Sequence, residues 1–176
     1  LTDVSGFATP KEMYASSCAS RSSPASKFCV VAGADRQIGF WVQRDANSPT
    51  GSFTYTGTSA GQTIHGVKAY YDSSGTERAL LVGQTNATTV PRVWRSTAYL
   101  NVISEIQEIF PGLASGAALL SIGINGTTYV ATTSRGSVVR STNSGSSWQE
   151  TTLVAGKQLT AITNFGSRWY VAGSAG

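Results

Sequence analysis

The sequence predicts an all-β protein built from a repeated four-stranded antiparallel unit. Three observations lead to this fold class: many short apolar runs, turn residues between them, and an internal repeat with a period of about forty residues. With 176 residues, the chain is long enough for one sizeable domain. Only 12% of the residues are charged, and Ser, Thr and Gly are abundant, which is typical of secreted or cell-surface β proteins.

Nine apolar runs are expected to be strands, because each is short, rich in β-branched or aromatic residues, and bounded by Gly, Ser, Asn or Asp. In order along the chain they are residues 28–33, 38–43, 51–57, 66–71, 79–84, 92–97, 128–133, 137–142 and 168–173. The sequences "DSSG" at 72–75 and "NG" at 125–126 predict hairpin turns. Segment 100–110 has apolar residues at a spacing of three to four and predicts a helix, although it equally fits an outer strand with a loop.

The internal repeat is clearest between residues 119–132 and 159–173. A Leu, an Ile and a Gly recur forty positions apart, and Tyr129–Ala131 matches Tyr170–Ala172 if one residue is inserted. Weaker copies elsewhere complete the pattern. They predict four units, at about 1–58, 61–112, 116–155 and 157–176, with a Ser-rich insertion at 8–26.

A four-stranded meander that repeats in this way is typical of a β-propeller blade, because one meander cannot bury both of its faces and stacked blades bury each other. We therefore expect a β-propeller-like array of four-stranded antiparallel blades. About three and a half blades do not close a ring of 4–8 blades. The expectation is an incomplete propeller, or one that is closed by another chain, by self-association or by a remainder of this one.

One corner of the third unit, "STNSGSSW" at 141–148, carries a recognisable motif. It resembles the Asp box, S-x-D-x-G-x-x-W, of the BNR-repeat propellers, which include sialidase-like and sortilin-like proteins. Ser141, Gly145 and Trp148 stand at the motif positions, and Asn143 replaces the usual Asp. The resemblance implies a structural role on an outer hairpin, away from the axial site. An Asx-turn at Asn143, a positive φ at Gly145 and a packed Trp148 ring fit that role.

The resembling enzymes suggest where catalytic carboxylates would lie. A glycoside hydrolase needs two convergent carboxylates, and the family enzymes place them where inner strands end at the axial mouth. Asp35 follows an inner strand, and Asp3 lies in a copy of a first strand, so both are candidate catalytic residues. Turn and strand-end roles are the alternative for both.

Aromatic residues are numerous for so polar a chain and are candidates for stacking on sugar rings, with packing between blades as the alternative. The ligand-binding candidates are Trp41, Tyr71, Trp94 and Trp169. Lys and Arg are scattered singly and the net charge is only +4, so we expect no nucleic-acid partner. We also expect no membrane span, no metal site and no cofactor, since the chain lacks a long apolar run, a calcium loop and a phosphate-binding loop.

The two cysteines, Cys18 and Cys29, predict a disulfide if the protein is secreted, with two unrelated thiols as the alternative. A zinc site would need two further ligands, and His65 is the single histidine. The predicted location is therefore secreted, cell-surface or periplasmic.

The sequence favours a binding or scaffold module over an enzyme. We expect it to recognise a glycan or a protein through loops at one mouth of the propeller. One alternative is part of a glycoside hydrolase whose catalytic carboxylates lie partly outside this segment. A second is a soluble assembly factor of the photosystem II type, which would need an arginine-rich patch that the scattered arginines do not suggest.

Overall fold

The computed structural model describes residues 12–22, 25–43, 52–56, 61–86, 89–96, 106–110 and 116–174, with residues 52–56 and 106–110 described by their backbone alone. Within these ranges the chain forms fourteen strands and a single 3₁₀ turn at Ala34–Arg36. The strands are β1 (Met13–Ser22), β2 (Ala25–Gly33), β3 (Ile38–Gln43), β4 (Ser52–Thr56), β5 (Gln62–Tyr71), β6 (Glu77–Thr85), β7 (Pro91–Ser96), β8 (Ile106–Phe110), β9 (Leu119–Asn125), β10 (Thr128–Thr133), β11 (Ser137–Ser141), β12 (Gln149–Thr152), β13 (Leu159–Phe165) and β14 (Arg168–Gly173).

The strands form four antiparallel sheets in which sequence neighbours pair. The first sheet is β1-β2-β3-β4, the second β5-β6-β7-β8, the third β9-β10-β11-β12, and the fourth the pair β13-β14. The predicted all-β class is confirmed. Residues 106–110 are the outer strand β8, so the helix predicted over 100–110 is wrong there, while residues 100–105 lie outside the described residues. Across the described ranges, the four sheets do not close into a barrel or a ring.

Consecutive sheets are stacked through their first two strands. The first strand of the second sheet contacts β1 and β2, the first strand of the third contacts β5 and β6, and β13 contacts β9 and β10. The packing therefore repeats at each of the three junctions. In each case the next sheet packs, through its first strand, against the first and second strands of the sheet before it.

The second sheet is buried on both faces. Along β6, Ala79 and Leu81 point into a core shared with the first sheet, which also contains Phe28 and Trp94. The alternate residues Leu80 and Val82 point into a core shared with the third sheet. Because side chains alternate between the two faces of a strand, an unbroken apolar run is what a strand between two cores requires.

The structure corrects the alignment of the repeat. The β9–β10 and β13–β14 turns both contain two residues, and the pair Ile124–Tyr129 corresponds to the pair Asn164–Trp169. The offset is thus forty residues throughout, without the insertion. Trp169, and not Tyr170, is the counterpart of Tyr129.

The start of the first sheet also differs from the prediction. Residues 13–22, which fall within the predicted insertion at 8–26, form β1 and pair with β2 along its length. Cys18 and Cys29 face each other across these two strands with a Cα–Cα distance of 4.0 Å, and they form the predicted disulfide. The bond therefore joins neighbouring strands of the first sheet. Among the described residues, no helix is long and apolar enough to cross a membrane.

Among the described residues, the fourth sheet is covered on one face only. Trp169 lies against the third sheet, where a Cβ atom added at Gly123 would be 2.6 Å from its ring carbon Cζ3. On the opposite face, Phe165 is 82% exposed and Tyr170 is 51% exposed. Gly123 is therefore the position at which the third sheet accommodates the Trp169 ring.

This contact generates a test of the stacking. We expect Gly123→Ala to lower the free energy of unfolding by about 1–3 kcal/mol, because the new methyl group displaces the Trp169 ring. In a Trp169→Ala background the same change should have little effect, since the obstructing ring is gone. Urea unfolding of the four proteins of this double-mutant cycle measures the coupling, and equal effects in both backgrounds would contradict the packing described.

Candidate functional site

The 141–148 corner between β11 and β12 is organised by the Ser141 hydroxyl. Ser141 Oγ accepts the Gly145 amide at 2.8 Å and donates to Asn143 Oδ1 at 2.9 Å. Ser141 is itself buried. Gly145 has a φ of 88°, which a side chain would disfavour. The buried Ser141 hydroxyl thus links the two sides of the loop by hydrogen bonds.

The other motif residues complete the corner. Asn143 accepts the Ser147 amide at 2.9 Å through Oδ1 and donates to Ser147 Oγ at 2.8 Å through Nδ2. Trp148 donates its ring N–H to the Gly145 carbonyl at 3.0 Å, and its ring lies 6.4 Å from that of Tyr129. Ser141, Asn143 and Trp148 thus each bond to groups within the corner, as expected of a structural motif.

A cleft of about 720 Å³ opens beside this corner, at one end of the junction between the second and third sheets. The second sheet contributes the ends of β5 and β7, the start of β6 and the turn between β5 and β6. The third sheet contributes the β9–β10 turn and the corner. The lining residues are Tyr70, Tyr71, Asp72, Ser73, Arg78, Arg95, Ser96, Ile124, Asn125, Gly126, Thr127, Tyr129 and Ser144.

Strand register explains why Tyr70, Arg78 and Arg95 face the third sheet. Tyr70 is paired with Arg78, and Arg95 is paired with Leu80, two residues further along β6. Leu80 points into the core between the second and third sheets, so the other three side chains leave the sheet on the same face. Beyond the end of the apolar core, that face becomes polar and the cleft begins.

The β5–β6 turn is fixed by Asp72. Its carboxylate accepts the Thr76 amide at 2.9 Å, the Ser74 amide at 2.9 Å and the Arg78 Nε–H at 2.9 Å. Partial burial would raise the pKa of Asp72, but these hydrogen bonds and that of the Ser74 hydroxyl outweigh it and lower the pKa to about 2. Asp72 is therefore an ionised structural carboxylate.

Arg95 joins the second sheet to the corner of the third. Its Nη1 donates to the Ser144 carbonyl at 3.0 Å, across 49 residues of sequence. Ser144 has a positive φ of 56°, which turns the backbone at this point of the corner. The corner is therefore one wall of the cleft, although its own side chains serve the fold.

Two tyrosines form the part of the cleft nearest the core. Burial raises the pKa of the Tyr70 hydroxyl well above its ordinary value, and the adjacent Tyr129 hydroxyl adds to the effect, while Arg95 and Arg78 act in the opposite direction. Tyr70 consequently keeps its proton at physiological pH. It offers a ligand both a ring and a neutral hydroxyl group.

Of the predicted ligand-binding aromatics, Tyr71 borders the cleft, but its ring leaves the second sheet on the face opposite to Tyr70 and packs against the first sheet. Its ring meets Phe28 edge-on at 5.2 Å, and its hydroxyl donates to Ser26 Oγ at 3.0 Å. The Arg21 guanidinium lies 5.0 Å from the ring centre. The first sheet thus positions a side chain that borders the cleft of the second and third sheets.

The other three aromatics lie elsewhere. Trp94 is 1% exposed in the core between the first two sheets, so the prediction that it contacts a ligand is not consistent with its burial. Trp169 packs on Gly123 at the third junction. Trp41 is half-buried and pairs with Cys29, which places it on the face of the first sheet opposite to Phe28 and far from the cleft.

Of the two predicted carboxylates, Asp35 does not line the cleft. Asp3 lies outside the described residues. Asp35 is in the 3₁₀ turn after β2 with a φ of 51°, in a conformation typical of a turn residue. Arg21, near the end of β1, donates to the Gly75 carbonyl at 2.5 Å, so the end of β1 and the start of β2 lie at the same end as the cleft. Asp35, one strand further on, therefore lies at the opposite end.

Sequence reasoning missed Tyr70, Asp72, Arg78 and Tyr129, and it treated Arg95 as a residue of the repeat. One signal was present, because "YYDSSGTER" at 70–78 places two aromatics, two acids and a base around one turn. The partner groups from the third sheet had no such signal.

Comparison of the chain with protein-family models, with characterised proteins and with solved structures finds no match. Within the described part of the chain, no group of three His, Cys, Asp or Glu side chains is arranged to hold a metal ion.

The corner generates a stability prediction. We expect Asn143→Ala to lower the free energy of unfolding by about 1–2 kcal/mol, because it removes hydrogen bonds to Ser147. Asn143→Asp should stay within about 0.5 kcal/mol of the parent at pH 7, since a carboxylate retains the acceptor. The exposed Ser146→Ala variant is the control, and chemical unfolding is the measurement. If Asn143→Ala matched this control, the Asn143 hydrogen bonds would not stabilise the corner.

Asp72 generates a pH-dependence prediction. Because its pKa in the folded state is below its ordinary value of 3.8, its contribution is present above pH 4 and is lost as the pH falls towards 2. We expect Asp72→Asn to lower the free energy of unfolding by about 1–2 kcal/mol at pH 7, allowing for a side chain that is 24% exposed. The difference should shrink between pH 4 and pH 2. A difference between Asp72→Asn and the parent that does not change with pH would contradict the assignment.

Proposed function

We propose that this chain is an extracellular binding module of the propeller type, and that it holds a saccharide in the cleft between its second and third sheets. The observation that carries the proposal is the cleft itself, a concave space of about 720 Å³ where tyrosine rings and hydrogen-bonding groups converge. Clefts of this size hold small ligands, whereas protein partners more often need a larger surface.

The chemistry of the walls suits a sugar. Saccharides present C–H faces that stack on aromatic rings and hydroxyl groups that exchange hydrogen bonds. Tyr70 supplies a ring, and the Tyr70 hydroxyl and Thr127 supply groups that both donate and accept. The backbone of the β9–β10 turn adds further polar groups at the rim. A flat protein surface would contact fewer of these groups, because they lie inside a recess.

The glycoside hydrolase alternative receives less support. That reaction needs two carboxyl groups, about 5–9.5 Å apart, and one of them must act as an acid. Among the described residues that line the cleft, Asp72 is the one carboxylate, and its hydrogen bonds keep it ionised. A binding function requires no such pair of carboxyl groups.

The fold and the disulfide support the wider part of the proposal. Each sheet packs through its first strand on the preceding sheet, which is how blades stack in a propeller. The Cys18–Cys29 bond fits an oxidising location such as the cell exterior or the periplasm. The self-contained corner at 141–148 fits the Asp-box resemblance in its structural role.

The proposal is tested by screening the intact chain on an array of neutral and acidic oligosaccharides, followed by titration of the strongest binder. We expect Tyr70→Ala to raise its Kd at least about tenfold, through loss of the ring and the hydroxyl. Tyr170→Ala is the matched control, because Tyr170 is 51% exposed on the outer face of the fourth sheet.

Absence of binding to any saccharide would refute the proposal. An equal loss of saccharide affinity in Tyr70→Ala and Tyr170→Ala would place the site outside the cleft. Thermal unfolding of both variants separates a lost site from a lost fold.

A further inference from the structure

We propose that the saccharide is acidic, and that Arg78 and Arg95 bind its carboxylate. This inference rests on the proposed function and specifies the ligand class. It starts from the charges of the described residues that line the cleft, which are two guanidinium groups and the carboxylate of Asp72. These described residues together carry one positive charge in excess.

The two arginines are close enough to act on one ligand. Arg95 lies opposite Leu80 on the neighbouring strand, and Arg78 is two residues from Leu80 on the same face. Such diagonal neighbours have Cβ atoms about 7–8 Å apart, a distance that long side chains cover easily. Both guanidinium groups also line the same cleft as Tyr70.

Arg78 is held in place but not satisfied. Its Nε–H is bound to Asp72 at 2.9 Å, which fixes the direction of the guanidinium plane. Its Nη1 atom is buried and has no hydrogen-bond partner among the described residues. An unpaired buried donor on a charged group is unfavourable, so a ligand oxygen at this atom would gain a charge-assisted hydrogen bond.

Arg95 is oriented in a similar way. Its Nη1 donates to the Ser144 carbonyl of the corner, a neutral acceptor that leaves the positive charge uncompensated. A guanidinium group has five N–H donors in a planar fork that matches a carboxylate. Both arginines are thus pre-oriented by protein contacts, which reduces the entropy lost when an anion binds.

The repeat provides an internal comparison. Arg140 in β11 is the counterpart of Arg95 in β7, as both lie one residue before the Ser that ends the third strand of their sheet. Arg140 is exposed and does not line the cleft. The arginine at this position of the repeat therefore becomes part of a site only where the next sheet presents its corner.

The test uses the intact chain and matched pairs of ligands. Unsulfated chondroitin and oligogalacturonate hexasaccharides carry carboxylates, and their carboxyl-reduced forms differ only in lacking that charge. We expect at least one acidic member to bind about tenfold or more tightly than its reduced form in calorimetric titrations at low salt, with the difference narrowing as salt is added.

Variants assign the effect to the cleft. Arg95→Gln and Arg78→Gln should each weaken binding of the acidic member about tenfold and change binding of the reduced form little. Arg95→Lys keeps the charge but loses the planar fork, so it should fall between Arg95→Gln and the parent. Arg140→Gln should equal the parent. Circular dichroism confirms that each variant is folded.

The outcomes separate this inference from the proposed function. If no acidic hexasaccharide binds more tightly than its reduced form while reduced forms do bind, the acidic ligand is wrong and the saccharide site stands. If neither member of any pair binds, the array result decides the proposed function and this inference is overturned. Selectivity that survives Arg78→Gln and Arg95→Gln would also overturn it.

Discussion

The structure depends on one constraint: a four-stranded sheet with two apolar faces needs a neighbour on each side. The second sheet satisfies it fully, since residues of β6 alternate between one core with Phe28 and another with Tyr129. Hydrophobic burial supplies most of the favourable free energy of folding, and here it acts between sheets, each of which is held together by backbone hydrogen bonds. The order of the sheets in space follows from their order in the chain.

The same constraint produces the cleft. Apolar residues fill the junction between the second and third sheets along most of its length, and the filling stops near Tyr70 and Tyr129. Beyond them the side chains are longer and charged, and the two sheets are connected by the bond from Arg95 to the Ser144 carbonyl. A space remains because the long Arg95 side chain bridges the two sheets at this point. Two apolar side chains in direct contact would bring the sheets closer together.

Local chemistry was predictable from sequence, and contacts between sheets were not. The strands, the disulfide and the role of Asn143 follow from alternation, from spacing and from the needs of one turn. The burial of Trp94 and the position of Tyr71 depend on which face of its sheet each side chain occupies. Register shifts such as the bulge between Ile64 and Gly66 change that assignment without any sign in the composition. The cleft joins residues up to 49 positions apart, so no motif could describe it.

The bond between Arg95 and the corner has a consequence for how such a protein evolves. A repeat unit carries an arginine on one side and a corner on the other, and neither makes a site alone. The site belongs to the junction, so duplication of a unit creates a new junction and with it a new space to be shaped by selection. The shape and charge of these spaces would then diverge from junction to junction while the units themselves stay alike.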